Sequence, residues 1–469
     1  MKRRTVLAAA LMAWTSAWGQ AAETKTTIED QQDVAITAYN NGLALVRDTR
    51  EIAMPEGELH LQFMDVAAMI RPETVSLRSL TEAGSVSILE QNYEYDLISP
   101  SKLMEKYVGK TVRLVNFSKE LGFENIEAEL LSINEGPIYR VGGQIFLGHP
   151  GNVVLPEVPD NLISKPTLVW NITNTKPVQR LEATYLTNGV SWQADYVVTL
   201  AKDDKQLDLA GWVTMNNQSG ATFENAQLKL VAGEVNLVQL GGGRGGFVTA
   251  EVAQFAADAA MPQQEAFAEY HLYTMPRRTT IKQNQSKQLA LLDAVNVACA
   301  KKYEYRGQLH FYSQQMPPMR DEHVGVFLEF ENREANHLGI PLPAGVMRIY
   351  QEDSSGMLQF AGEDRTEHTP KDETITLRMG QAFDVIGDRV QTDYRVIANN
   401  VFEAEFEITL RNHKENDIVI DVVEPMPSDW TILQKTRDFV KKDSQTAVFT
   451  IPVKKDGEEK LTYRVRVTY

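Results

Sequence analysis

The chain has 469 residues, 43% hydrophobic and 23% charged, enough apolar material for several cores and too much for a disordered polymer. Its net charge of −16 repels phosphate backbones and anionic headgroups, which excludes nucleic acid as an expected partner. The single cysteine, Cys299, excludes an intramolecular disulfide, so stability has to come from buried cores.

The start reads as an export signal over residues 1–22. Lys2, Arg3 and Arg4 are followed by an apolar stretch over 5–18 and by the small residues Ala17, Gly19, Ala21 and Ala22. The apolar run is shorter than the roughly 20 residues that span a bilayer. The pair Arg3-Arg4 loosely suits twin-arginine export. Loss of those three cations takes the net charge from −16 to −19. No later stretch is apolar enough to predict a membrane-spanning helix.

Period-two alternation then dominates, which predicts an all-β chain of antiparallel sandwiches. Residues 34–39 and 43–47 flank Asn40-Asn41-Gly42 and predict a hairpin, the first element of an N-terminal β-domain over 23–98. Strands are expected near 58–63, 75–80 and 86–93. A short helix over 102–108, with Ser101 as N-cap and Gly109 past its end, opens a small barrel-like module over 99–160. Its strands fall at 111–116, 126–134, 137–141 and 144–147, the last two joined by Gly142-Gly143. Pro156, Pro159 and Pro166 mark a linker-like strip.

A central sandwich is expected over 161–389, with strands near 168–173, 179–186, 192–200, 207–216 and 226–231. It carries a flexible insertion over 241–268, glycine-rich and then rich in Ala and Gln, read as a loop followed by a loose helix or disorder. Strands resume at 271–275, 324–331, 346–351 and 374–377. The remainder, 390–469, reads as an immunoglobulin-like domain with strands at 401–411, 418–423, 447–453 and 460–469. The polar turn 454–459 is expected to close the last two strands as a hairpin.

No residue set amounts to an active site, and no cofactor is expected. The glycine run 241–246 lacks the Lys-Ser/Thr of a phosphate loop and the βαβ setting of a dinucleotide site. Gly189-Val190-Ser191-Trp192-Gln193 begins like a nucleophile elbow, but Gln193 replaces the second glycine. No two of the eight histidines stand at metal-ligand spacing; Asp321, Glu322 and His323 read as a solvated turn. Cys299 reads as a small buried hydrophobe.

The weak ligand-binding candidates are Trp192, Asp195, Trp212 and Glu224. The two carboxylates are the residue type that glycoside hydrolysis needs in pairs, and the tryptophans are the type that stacks on sugar rings. Trp170 and Trp430 are further aromatic candidates, with core positions the expected fate of all four tryptophans. The alternation of Leu461, Tyr463, Val465, Val467 and Tyr469 resembles the last strand of an outer-membrane barrel, though a final sandwich strand accounts for it as well.

Three stretches carry a likeness: Tyr185-Leu186-Thr187-Asn188-Gly189-Val190-Ser191-Trp192-Gln193-Ala194-Asp195-Tyr196, Leu209-Ala210-Gly211-Trp212-Val213-Thr214-Met215-Asn216-Asn217-Gln218-Ser219-Gly220, and Leu228-Lys229-Leu230-Val231-Ala232-Gly233-Glu234-Val235-Asn236. Pro341-Leu342-Pro343-Ala344-Gly345 and Glu424-Pro425-Met426-Pro427-Ser428-Asp429-Trp430 add to it. They resemble a bacterial exported family of unknown function related to mucoidy-inhibitor-like proteins. The resemblance implies an exported β-rich protein, and the name points to capsule or surface polysaccharide. It brings no catalytic residues, and the coiled coil usual in mucoidy-type relatives is not visible here.

The leading expectation is therefore a non-catalytic binding or scaffolding protein of the periplasm or cell surface, with an envelope protein or polysaccharide as partner. A carboxylate-dependent hydrolase of envelope polysaccharide and an outer-membrane-associated assembly protein are the alternatives.

Overall fold

A computed structural model describes residues 22–94, 98–118, 122–148, 152–159, 163, 165–233, 235, 262–267 and 269–469. Residues 1–21 of the stretch read as an export signal, Glu234 and the glycine run 241–246 lie outside the described residues. The rest is all-β, in four multi-strand sheets with one short α-helix.

The opening hairpin forms as its sequence predicts. Gln31–Tyr39 and Leu43–Ala53 pair antiparallel, and alternate residues Val34, Ile36, Ala38, Ala44 and Val46 turn into the core. This pair sits in the middle of an eight-stranded sheet, with Phe223–Ala232 on one side and Val178–Asn188 on the other. A four-stranded sheet places Gly57–Met64 beside Thr167–Asn174, which also pairs with Val86–Glu94. Strands of the segment 23–98 are thus hydrogen-bonded to strands of 161–389, and the boundary drawn between the two runs through shared sheets. Antiparallel ladders predominate, but four are parallel, among them Val190–Leu200 with Gly345–Glu352 and Phe223–Ala232 with Gln31–Tyr39.

The module over 99–160 is an open sheet of five strands, ending in Gln144–Leu147 on one side and Asn152–Val154 on the other. It is not a closed barrel: the end strands have four and three residues, too short to curl round and meet. Its helix is Pro100–Lys106, two residues earlier than expected. Ser99, not Ser101, is the N-cap, because Pro100 suits the first helical position and the Ser99 hydroxyl accepts from the Lys102 N–H.

Two large cores result. The first gathers Phe63 and Trp170 from the four-stranded sheet, Val46 and Tyr185 from the eight-stranded one, and Trp192, Tyr196, Met215 and Met347 from the thirteen-stranded one. The second contains Phe406, Ile420, Phe449, Tyr463 and Val465, but also Tyr303, Tyr305, Phe311 and Tyr312. It therefore begins well before residue 390. Gln285–Arg306 and Thr374–Ala398, strands of 22 and 25 residues, contribute to both cores, as does Met319–Glu331.

Two further expectations fail. The turn 454–459 does not close a hairpin ladder. Thr446–Val453 pairs with Ile418–Pro425, whereas Gly457–Thr468 pairs with Val401–Asn412 and Asp429–Lys435, so the chain crosses between strand sets there. At the end of the insertion, Gln263–Phe267 is a strand on Tyr270–Thr274 where helix or disorder was expected. The rest of the helical stretch lies outside the described residues.

Candidate functional site

Asp195 and Trp212 face each other across the ladder between Val190–Leu200 and Gln206–Asn217. Directly opposed residues share a face, and the alternation that sends Trp192 and Met215 into the core sends Asp195 and Trp212 to the other side. Trp212 is half-buried there, with Val346 and Ala290 in the same transverse row on the flanking strands.

The carboxylate beside it is fully committed. Asp195 Oδ1 accepts from Arg348 Nη1 at 3.1 Å, and Oδ2 accepts from Thr214 Oγ1 at 2.6 Å and Gln193 Nε2 at 3.3 Å. Arg348 also pairs with Glu363 at 3.4 Å. A buried carboxylate held by a guanidinium and two neutral donors is fixed in place. The face is thus a half-buried indole framed by a fixed hydrogen-bonded and ionic network.

The other candidates go elsewhere. Trp192 is a core residue whose Nε1 donates to the Ala38 carbonyl at 3.1 Å. Glu224 is exposed on Phe223–Ala232, in the eight-stranded sheet, and is not brought together with Asp195. Trp170 and Trp430 are buried, their indole N–H groups donating to Gln91 Oε1 and the Ser444 carbonyl. Asp321, Glu322 and His323 diverge: Asp321 pairs with Arg411, Glu322 accepts from the Tyr305 hydroxyl at 2.5 Å, and His323 meets the Ala382 carbonyl. Among the described residues no three His, Cys, Asp or Glu side chains gather where a metal could sit.

Two shallow depressions, about 290 and 410 Å³, do not have Trp212 in their lining. One is lined by Thr199, Lys202, Asp208 and Glu352, the other by Cys299, Glu329, Arg333 and Asn336. Burial pushes the Cys299 thiol up to about 11, with Asp204 and Asp203 adding to the effect, so it is protonated and unreactive at neutral pH.

The most heavily perturbed groups were not among the candidates. In the second core, Arg389 Nη1 donates to Glu424 Oε1 at 2.7 Å, and the Tyr312 hydroxyl donates to Glu424 Oε2 at 2.7 Å. Burial, and then the Glu424 charge, push the hydroxyls of Tyr312 and Tyr463 well above the ordinary tyrosine range. In the first core, Arg50 pairs with Asp48 at 2.8 Å and lies over the Phe63 ring. The signal was there: Glu424 stands in phase with Ile418, Ile420 and Val422, and Asp48 and Arg50 with Val46 and Ile52. A charge on the inward phase of a strand predicts a buried partner.

Three of the sequence stretches quoted above, 185–196, 209–220 and 341–345, meet in space. Tyr196 packs against Gly211 and Gly345 on its two neighbouring strands and donates to the Pro343 carbonyl at 2.8 Å. A Cβ on Gly211 would press on the Tyr196 ring and Leu292, and one on Gly345 would strike the Ala194 carbonyl. These glycines make room.

The class defined by this architecture is an all-β protein of several packed sheets. No protein-family model matches the chain, and no curated protein matches it.

Proposed function

We propose that this chain is an exported, non-catalytic binding protein of the bacterial envelope that holds surface polysaccharide on the sheet face around Trp212. The observation that carries the reading is Asp195. Its oxygens are taken up by Arg348, Thr214 and Gln193, so beside the half-buried indole it acts as a fixed hydrogen-bonding anchor and not as an acid or base. An aromatic plane framed by polar groups is the surface a sugar ring stacks on. Export rests on the basic and apolar start of the sequence. The reading includes an immunoglobulin-like C-terminal unit and kinship to the mucoidy-inhibitor-related family. The packing of Gly211, Pro343 and Gly345 around Tyr196 supports that kinship, since it makes one unit of separate motifs.

The test is co-sedimentation of the purified protein with native envelope polysaccharide and with peptidoglycan, released sugars being followed by chromatography. The expected result is binding without products, weakened at least tenfold by Trp212→Ala. Sugar release that disappears in Asp195→Asn or Glu224→Gln would replace this reading with a hydrolase, and absence of binding would turn the search to protein partners.

A second reading, association with the outer membrane, draws on the hairpin tip between Thr374–Ala398 and Val401–Asn412. Val396 and Ile397 are 63% and 52% exposed there, close to Phe402, which meets Tyr469 edge to face at 5.7 Å. Recovery of all the protein in the soluble periplasmic fraction would dismiss it.

A further inference from the structure

The ends of a sheet are where a β-protein is exposed to pairing with other chains, and charged side chains on edge strands are the usual protection. In the four-, eight- and thirteen-stranded sheets, the strands that close the two ends of the row carry such a charge, Glu23, Glu90, Arg78, Glu265, Asp364 and Lys435 being examples; the uncharged three-residue strand Thr279–Ile281 hangs on Phe223–Ala232 beside that row. The five-stranded sheet departs from this. Neither of its end strands, Asn152–Val154 and Gln144–Leu147, carries a charge, and in the longer one Ile145, Phe146 and Leu147 are 54%, 42% and 84% exposed.

The backbone of this edge has a defined pattern. Gly142 and Gly143 have φ of 56° and 82°, the two positive values of a tight two-residue turn, so Val141 and Gln144 close the hairpin as a hydrogen-bonded pair. Pair types alternate along an antiparallel ladder, so Tyr139 and Phe146 are hydrogen-bonded as well. The N–H and C=O groups of Ile145 and Leu147 therefore point away from the sheet.

We propose that Gln144–Leu147 pairs antiparallel with the same strand of a second copy, about a twofold axis passing beside Phe146. In that register Ile145 faces Leu147 of the copy, and the outward groups of both residues close two hydrogen-bonded pairs. Phe146 faces Phe146 in the non-hydrogen-bonded pair between them, where side chains approach most closely. The edge is self-complementary: apolar opposes apolar on one face and aromatic opposes aromatic on the other, with no like charges opposed.

The interior of the module supplies the reason for such a cover. Phe146 lies directly opposite Tyr139, which is fully buried, so it sits on the core face of the sheet at the open end of the core. Among the described residues that core contains six buried hydrophobic side chains, and a second Phe146 would extend it across the axis. The Tyr139 hydroxyl is buried with no hydrogen-bond partner among the described residues, a further mark of an unfinished core. The net charge of −16 opposes association at long range, so added salt, which screens it, should favour pairing.

Sedimentation equilibrium of the purified chain up to on the order of 100 µM should show monomer and dimer, with the dimer fraction rising with sodium chloride. Leu147→Lys restores a charge at an exposed edge position and should weaken the dimer at least tenfold with the melting temperature unchanged. With Cys299 replaced by alanine, Phe146→Cys should oxidise to a covalent dimer, since non-hydrogen-bonded antiparallel pairs bring Cβ atoms near disulfide distance. Ile88→Cys, on the charged edge Val86–Glu94 and also 42% exposed, should not. A monomer at all concentrations and salts, a dimer unaffected by Leu147→Lys, or equal crosslinking through residues 88 and 146 would each overturn the proposal.

Discussion

Arg389 is buried with two of its guanidinium nitrogens, Nε and Nη2, lacking a hydrogen-bond acceptor among the described residues. It is tolerated because Glu424 neutralises it and because its guanidinium carbon lies 5.1 Å from the ring centres of both Tyr305 and Phe311. Removing one member of such a pair leaves the other charge stranded. Glu424→Ala should therefore cost about 3–5 kcal/mol of unfolding free energy in urea titrations. A loss below about 1 kcal/mol would mean that the pair is not the anchor of the second core. Cys299 obeys the same physics of burial. With the thiol pushed up to about 11, alkylation by iodoacetamide at pH 8 should run on the order of 100-fold slower than for a free cysteine peptide, and should recover in denaturant.

At the scale of strands and their neighbours, small residues and bulges decide fit. Gly211 and Gly345 flank Tyr196 without a Cβ, so Gly211→Ala should overpack the site and lower stability by about 1–3 kcal/mol, read from thermal or chemical unfolding. At the bulge near Asp321, where φ is 55°, Arg411 bridges Asp388 and Asp321, and the Asp321 N–H also donates to Asp388. The Arg411 hydrogen bonds hold the Asp388 carboxyl below the usual carboxylate range. A group with a lowered folded pKa contributes stability that is complete above its unfolded value near 4 and is lost as pH falls through the folded value. Asp388→Asn should therefore be less stable than the native chain at pH 7, by about 2 kcal/mol, and the difference should shrink as pH drops below about 4.

Across the whole molecule, the two large cores are tied by continuous backbone. Gln285–Arg306 sends Leu291, Leu292 and Val297 into the first core and Tyr303 and Tyr305 into the second, and Thr374–Ala398 divides in the same way between Ile375, Leu377 and Ala382, Val385. A strand cannot stay extended in one core while its ladder partners in the other dissolve. Unfolding should then be a single transition, and Glu424→Ala should shift the midpoint read from Trp170, Trp192 and Trp212 in a Trp430→Phe background. Unshifted first-core fluorescence would show that the cores unfold independently.

The sequence by itself determined the class and most of the elements. Alternation at 34–39, 207–216 and 418–423, and turns such as Gly142-Gly143, are local signals, because side-chain direction in a strand and the φ angles of a turn depend only on near neighbours. It did not show Gln285–Arg306, whose Ala, Lys and Gln favour helix; ladders with neighbours on both sides override that preference. Of the candidate residues, Trp192 is in phase with Ala194, Tyr196 and Val198 and goes inside, whereas Trp212 is out of phase with Leu209, Val213 and Met215 and goes to the outer face; only the ladder decided that Asp195 would stand opposite Trp212. The same holds for the ion pairs. That Glu424 faces inward was readable from its phase, but that Arg389, 35 residues earlier, meets it was decided by the tertiary fold, since charge pairing in a β-protein is set by which strands become neighbours.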